Sequence, residues 1–475
     1  MAAAAVHHTP YAGSWYPGSR RELEEMLGEL FAKSAERTGS ANDTGATAFV
    51  VPHAGLTYSG QTAAAVYRRL AHMRPETVVI LGFAHRGAPA GVWLPEVESY
   101  GTPLGEVAVD GAKLRRLADS GAFRTAPESA LCDHSIEIQL PLLQKASPQA
   151  RVVPVYVSAT DAGTRRRAAE ALAGLAGPGT VFLASSDFTH FGDSFGYKPF
   201  PVDSRTPMRL RLLDEEFIEA AGSIDPEFLL ETLRSQSATV CGREPIALML
   251  EMLRRLPEGD DYFQRTLDYM TSGDLTGDYS HCVSYAALGY YPWSALQLSD
   301  EDAQLLLDSA LATLRHYQQT GEAKPIPPER TTPALERSAG AFVTLHKNGA
   351  LRGCVGRVTA SEPLAQVVPE MTLAAALEDT RFEPLRPDEK GIELEISVLS
   401  PMKRLPEPSR FRVGIDGGYL KAGAMSGLLL PQVAEGRNWT AGDFLSALAR
   451  KAGVSPDVYA RPETRLYVFR AQIIP

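Results

Sequence analysis

A chain of 475 residues is too long for one typical core and predicts about two to four folding units, while 44% hydrophobic and 22% charged residues place it among ordinary globular proteins. A formal charge of −10 gives polyanions no general attraction, which argues against nonspecific nucleic-acid binding and against an anionic membrane surface as partner. Four cysteines without a CxxC pair point to a reducing, cytoplasmic setting; residues 1–10 lack the basic start and apolar core of a signal peptide, and no run approaches the roughly 18 apolar residues of a spanning helix.

Taken in order, Ser19 with Glu22 fits a capping box, and Leu23, Met26, Leu27 and Leu30 recur at helical spacing. The apolar run Ala48-Phe49-Val50-Val51 stops at Pro52-His53-Ala54-Gly55, the pattern of a strand buried on both faces. A helix over 61–73 leads into a second such run, Val78-Val79-Ile80-Leu81, which ends at Gly82-Phe83-Ala84-His85. The pair predicts a βαβ unit with a right-handed crossover. Strands are expected at 91–94, 106–109 and 151–157, and a helical turn after Asp133 sets His134 and Glu137 three apart on one face. A helix over 162–175 precedes the third run, Val181-Phe182-Leu183-Ala184, which closes on Ser185-Ser186-Asp187-Phe188-Thr189-His190. Open α/β sheets bind ligands beyond the carboxyl ends of their strands, so these polar endings are expected to face one site.

A helical region over 207–256 breaks near 235–245, and Thr239-Val240-Cys241-Gly242-Arg243 lies at the break. The amino-terminal dipole of the following helix would lower the Cys241 thiol pKa; the plainer reading is a small buried hydrophobe. A strand over 281–290 closes this α/β unit, whose central sheet is expected to be mostly parallel, and the boundary falls between Ser294 and Ser299. Beyond it the grammar changes. Ser299 and Asp302 start a helix, a Pro-rich loop covers 324–330, and Asn348-Gly349 joins two strands as a type I′ hairpin. Ile392, Leu394, Ile396 and Val398 alternate with polar residues, Asp416-Gly417-Gly418 suggests another hairpin, and a helix over 441–451 precedes a last strand over 465–474. This second unit is therefore α+β with a mostly antiparallel sheet.

Two neutral imidazoles and one anionic ligand can bind a transition metal and leave coordination positions free, and Asp187 or Cys241 could supply the anion. Three histidines at strand ends favour a metal or catalytic site over structural roles. His134 suits a capping or supporting role as well as a direct one, Trp15 and Tyr16 suit either a pocket lining or the core, and His7, His8, His72, His281, His316 and His346 carry no context beyond structural or surface roles.

Ala12-Gly13-Ser14-Trp15-Tyr16-Pro17, Val51-Pro52-His53-Ala54-Gly55, Asp133-His134-Ser135-Ile136-Glu137, Ser185-Ser186-Asp187-Phe188-Thr189-His190 and Val240-Cys241-Gly242-Arg243 together resemble the Memo family over residues 6–291. That resemblance implies the fold of class III extradiol dioxygenases, non-haem iron enzymes. It also implies His53, His85 and Cys241 as metal ligands, His190 as acid/base and Asp187 as a further pocket residue. Phe83-Ala84 departs from the family's usual Pro-Ser/Asn pair before the second ligand, and Leu56 stands where an aromatic is common. A thiolate ligand makes iron(II) the first expectation, with copper or zinc as alternatives. Leu351-Arg352-Gly353-Cys354-Val355-Gly356, Arg381-Phe382-Glu383-Pro384-Leu385 and Leu429-Leu430-Pro431-Gln432-Val433 are similar to the AMMECR family over 298–475. Gly353 and Gly356 are expected to let a ligand approach the backbone beside Cys354, which has no histidine partner in sequence. The pairing of the two families implies the AmmeMemoRadiSam system, whose third member is a radical S-adenosylmethionine protein; the CxxxCxxC cluster motif is absent here, so that partner would be a separate chain. The expected function is a metal-dependent oxidoreductase or dioxygenase-like protein acting on a small molecule or peptide. The competing readings are an adaptor that binds metal or peptide without turnover, and a zinc hydrolase.

Overall fold

The computed structural model describes residues 6–475 apart from Arg86, Ala360 and Pro462. Residues 1–5, part of the segment read as lacking a signal peptide, lie outside the described residues. The chain divides into two compact units, Met1–Pro292 and Trp293–Pro475.

The first unit carries twelve strands among its described residues: β1 (Val6–His8), β2 (Ala48–Val51), β3 (Thr77–Phe83), β4 (Val92–Glu96), β5 (Ser99–Thr102), β6 (Gly105–Ala108), β7 (Arg124–Pro127), β8 (Arg151–Val157), β9 (Thr180–Ser185), β10 (His190–Gly192), β11 (Tyr262–Thr271) and β12 (His281–Pro292). Nine of them form one mixed sheet in the order β10-β12-β2-β9-β3-β8-β4-β7, with β11 paired to β12. Its centre, β2-β9-β3-β8, is parallel, because each strand is a continuous apolar run covered on both faces. The flanks β12 and β4 run antiparallel to their inner neighbours. Parallel strands need crossover connections, and helix Leu56–Met73 supplies the one between β2 and β3. That helix begins at Leu56, five residues earlier than its sequence pattern predicts, so that its first turn starts directly after His53-Ala54-Gly55. The small sheet β1-β5-β6 lies outside this layer, with β1 parallel to β5. Among the strands the sequence did not mark, β11 is the longest; its Gln264, Arg265 and Asp268 interrupt the apolar pattern.

The second unit holds two antiparallel four-stranded sheets. The first has the order β14-β13-β15-β20, from β13 (Ala341–Lys347), β14 (Ala350–Arg357), β15 (Ile392–Leu399) and β20 (Ala471–Ile474); helix Leu364–Leu377 packs in its core. The second has the order β16-β19-β17-β18, from β16 (Lys403–Arg404), β17 (Gly417–Ala422), β18 (Met425–Leu429) and β19 (Arg465–Phe469), with helix Ala441–Lys451 in a separate core. Asn348 and Gly349 take φ of 52° and 76°, the two positive values of a type I′ turn. Two expectations are corrected. Asp416-Gly417-Gly418 leads into β17 rather than forming a hairpin, whose turn lies at Gly423 (φ 62°). The run over 465–474 is two strands split at Arg470, each paired in a different sheet. Among the described residues no helix is long and apolar enough to cross a membrane.

Candidate metal centre

The parallel centre of the first sheet fixes the site. His53 follows the end of β2 by two residues, His85 that of β3 and Asp187 that of β9, so one register of three neighbouring strands delivers all three to the carboxyl edge. Helix Arg243–Leu253 brings Cys241 to the same edge. It can come close because Gly242 has no side chain: a Cβ there would fall against Ser186 and the Ser185 carbonyl. His134 arrives from the short helix His134–Glu137, and Gly82 lets that helix sit tightly on β3, since a Cβ would meet Ile136 and Ser135 at 2.6 Å.

His53 is the hub. Its Nε2 lies 3.1 Å from the Cys241 sulfur and its Nδ1 lies 3.0 Å from Ser185 Oγ. Gln139 Nε2 donates to that same hydroxyl and to the Pro52 carbonyl, while its Oε1 accepts from Tyr67. Burial, reinforced by His85, pushes the His53 pKa down to about 3. Burial, with His53 and His85, does the same to His134, also to about 3. Both rings are therefore neutral near pH 7, the form that ligates metal. The His85 and His134 ring centroids are 4.2 Å apart, and Trp15 lies on His134 at 4.6 Å, which makes Trp15 part of the site while Tyr16 is buried in the core.

Two carboxylates hold this arrangement. Asp187 Oδ1 accepts the His53 amide at 2.8 Å and the Ala54 amide at 3.3 Å, fixing the bend after β2. Burial raises its pKa. Asp133 accepts the His85 amide at 2.9 Å on one oxygen and the Ser135 amide and hydroxyl on the other. Burial alone would raise the Asp133 pKa; hydrogen bonds from His85 and Ser135 hold it below the usual range instead. The expected acidification of Cys241 is corrected. Burial, reinforced by the Asp187 carboxylate, pushes the thiol well above its ordinary value and outweighs the helix terminus and the hydrogen bond from the Asp187 amide.

Two overlapping donor groups result: His53, Asp187 and Cys241, and His53, His85 and His134, each with ligand atoms within 4.8 Å of one another. The residues fit an ion, because sulfur and imidazole nitrogen face each other across 3.1 Å with the opposite edge of His53 already hydrogen-bonded. Cys241 joins the first group and His85 the second, so His53 is the member they share. His190 is in neither group. Its Nδ1 faces two carbonyl oxygens, of Phe188 and Thr239, each at 3.0 Å. Both can only accept, so Nδ1 carries the proton and Nε2 is the basic nitrogen. Behind it, the buried Asp214 accepts from the Thr189 amide and hydroxyl and from Tyr269 Oη. Sequence reasoning missed Asp133, Gln139 and Asp214, whose roles come from partners far along the chain, and it underweighted His134. A cavity of about 590 Å³ lies at the amino ends of the strands; His72 and Glu258 line it, and none of the grouped ligands does.

Residues 7–289 match the family model described as Memo-like protein, and residues 307–474 match AMMECR1. The protein memo-1 homolog of Caenorhabditis elegans is 31% identical over 288 residues, covering 58% of this chain and 80% of the relative. A MEMO1 family protein of Nitrosopumilus maritimus is 31% identical over 286 residues, covering 59% and 97%. A protein of Methanothermobacter thermautotrophicus is 42% identical over 153 residues, covering 31% and 80%.

Proposed function

We propose, for a chain that belongs to the Memo-like protein family, that the first unit is a metal-dependent, dioxygenase-like redox centre in which His53, His85 and Cys241 hold the ion. The observation that carries this reading is the 3.1 Å approach of His53 Nε2 to the Cys241 sulfur at the carboxyl edge of the sheet. Two imidazoles and a thiolate suit iron(II) first, with copper or zinc as alternatives. When bound, such an ion would supply Lewis acidity and one-electron chemistry.

The chain's own groups do the rest. Asp187 holds the His53 loop through two amides, and Asp133 holds His85 and caps the helix that carries His134. His190 accepts a proton at Nε2 and returns it, while its Nδ1–H stays tied to carbonyls. Tyr11 and Trp15 flank His134 and shield that side of the centre from water. The substrate is a small molecule or a peptide, and the AMMECR-like unit contributes substrate or partner binding. A separate radical S-adenosylmethionine protein is the expected partner, supported by the presence of both families in one chain.

One observation favours a second reading. His53, His85 and His134 form a three-histidine group, a donor set that suits catalytic zinc and hydrolysis without oxygen. Metal analysis by mass spectrometry on protein purified without oxygen separates these readings. Near-stoichiometric iron or copper, lost in both His53→Ala and Cys241→Ser, is the expected result. Zinc that is lost in His134→Ala but kept in Cys241→Ser would favour hydrolysis. No bound metal in the unaltered chain would overturn the proposal and leave the adaptor reading.

A further inference from the structure

The first unit contains another cluster that the centre above does not use. His7, Cys132 and Glu137 offer an imidazole nitrogen, a sulfur and a carboxylate oxygen all within 4.8 Å of one another. They come from distant parts of the chain. His7 lies on β1, where parallel pairing with β5 sets it opposite Tyr100. Cys132 ends the short helix Glu128–Leu131, and Glu137 is the last residue of His134–Glu137.

The carboxylate is the telling group. Glu137 is fully buried, and its Oε1 meets His7 Nε2 at 3.1 Å. Its other oxygen, Oε2, has no hydrogen-bond partner among the described residues. An ionised carboxylate with an unsatisfied buried oxygen is costly, whereas a cation bound beside it satisfies both charge and lone pairs. Cys132 is also fully buried, and Tyr100 Oη lies 3.5 Å from its sulfur, placed to donate to a thiolate.

We infer that His7, Cys132 and Glu137 form a second, structural binding site for a zinc-class divalent cation. One imidazole, one thiolate and one carboxylate are the ligand types zinc takes; calcium and magnesium prefer oxygen alone. As the sulfur–metal bond forms, the thiol proton passes to solvent, and the two anionic ligands balance the ion's two positive charges. The ion staples β1 to the segment 132–137, closing a loop of more than a hundred residues. That segment also contains Asp133, which holds the His85 amide, and His134, so the staple steadies one wall of the first centre.

Cobalt(II) makes the site visible, because a thiolate ligand gives a charge-transfer absorption that nitrogen and oxygen ligands do not. The full chain is stripped with chelator and titrated with cobalt(II) in a Cys241→Ser background, which removes the other candidate thiolate. One equivalent with a thiolate band is expected, abolished by adding Cys132→Ser. Should that buried change prevent folding, His7→Ala on a half-buried strand serves instead. It is expected to keep the far-ultraviolet circular dichroism and to lower cobalt affinity by more than the roughly 10–100-fold that loss of an outer-shell partner costs. No thiolate band in Cys241→Ser, or a band unchanged by His7→Ala, would overturn the site.

Discussion

Cys241 and Cys354 are the two half-buried thiols of the chain, both beside glycines, yet their surroundings differ in kind. Cys241 faces an imidazole nitrogen at 3.1 Å, with Asp187 close by. Cys354 sits among groups that satisfy one another: its amide donates to Asp379 at 2.8 Å, its carbonyl accepts from Arg381, and its sulfur accepts from the Thr344 hydroxyl at 3.3 Å. Asp379 in turn pairs with Arg381, whose guanidinium holds that carboxyl far below the usual range. The difference teaches that a cysteine in a glycine-rich motif says little until its neighbours are known. Buried groups still able to accept an ion mark the first region; saturated pairs mark the second.

The largest expected effect tests that contrast directly. Cys241→Ser should lower metal affinity by more than about 10–100-fold, and Cys354→Ser should leave metal content unchanged, both read by mass spectrometry after dialysis against chelator. Equal losses in the two variants would erase the distinction.

The adjacent glycines sharpen it next. Gly353 was expected to admit a ligand, but a Cβ there would fall against the Ala375 carbonyl, and one at Gly356 against Phe342 and the Ala341 carbonyl. What approaches is the protein itself. Gly353→Ala should therefore destabilise the second unit by about 1–3 kcal/mol, measured by urea unfolding, with metal content untouched. Gly242→Ala, pressed against Ser186, should cost a similar amount and also displace Cys241, so that metal is lost. Metal loss in Gly353→Ala, or its retention in Gly242→Ala, would count against the contrast.

How far the sequence revealed this follows from the range of the interactions. The four parallel strands were legible because each is a local apolar run, and the carboxyl-edge rule placed His53, His85 and Asp187 at one edge. The type I′ hairpin was legible because Asn348-Gly349 encodes its own geometry. Strand β11 was hidden by its polar residues, and the break at Arg470 by a continuous β pattern on either side of it. His134 was underweighted because its value depends on stacking against His85 and Trp15, 49 and 119 residues away in sequence. The Cys241 pKa went the other way from its helix-terminus reading because burial cannot be counted from spacing.

The smallest effect concerns a saturated pair in the second unit. Glu389 accepts two hydrogen bonds from Arg352, at 3.0 and 3.1 Å, and one from Lys347 at 3.0 Å, tying the segment after helix Leu364–Leu377 to β13 and β14. The Arg352 hydrogen bonds, with Lys347, pull its pKa down to about 2. An unfolded glutamate titrates near about 4.3, so folding lowers this pKa and its stabilisation is present above about pH 4.3. It fades as the pH falls towards about 2, where the folded carboxylate takes up its proton. Glu389→Gln should flatten the fall in stability across that window, read as the pH dependence of amide exchange in β13 and β14. His53 shifts in the same direction for a different reason: its neutral form is favoured on folding, so stability falls below about pH 6.5 and goes on falling down to its folded value of about 3. Acid should therefore loosen the His53 loop at a higher pH than it loosens the Glu389 clamp. The reverse order of exchange would break the division between an ion-ready region and a saturated one.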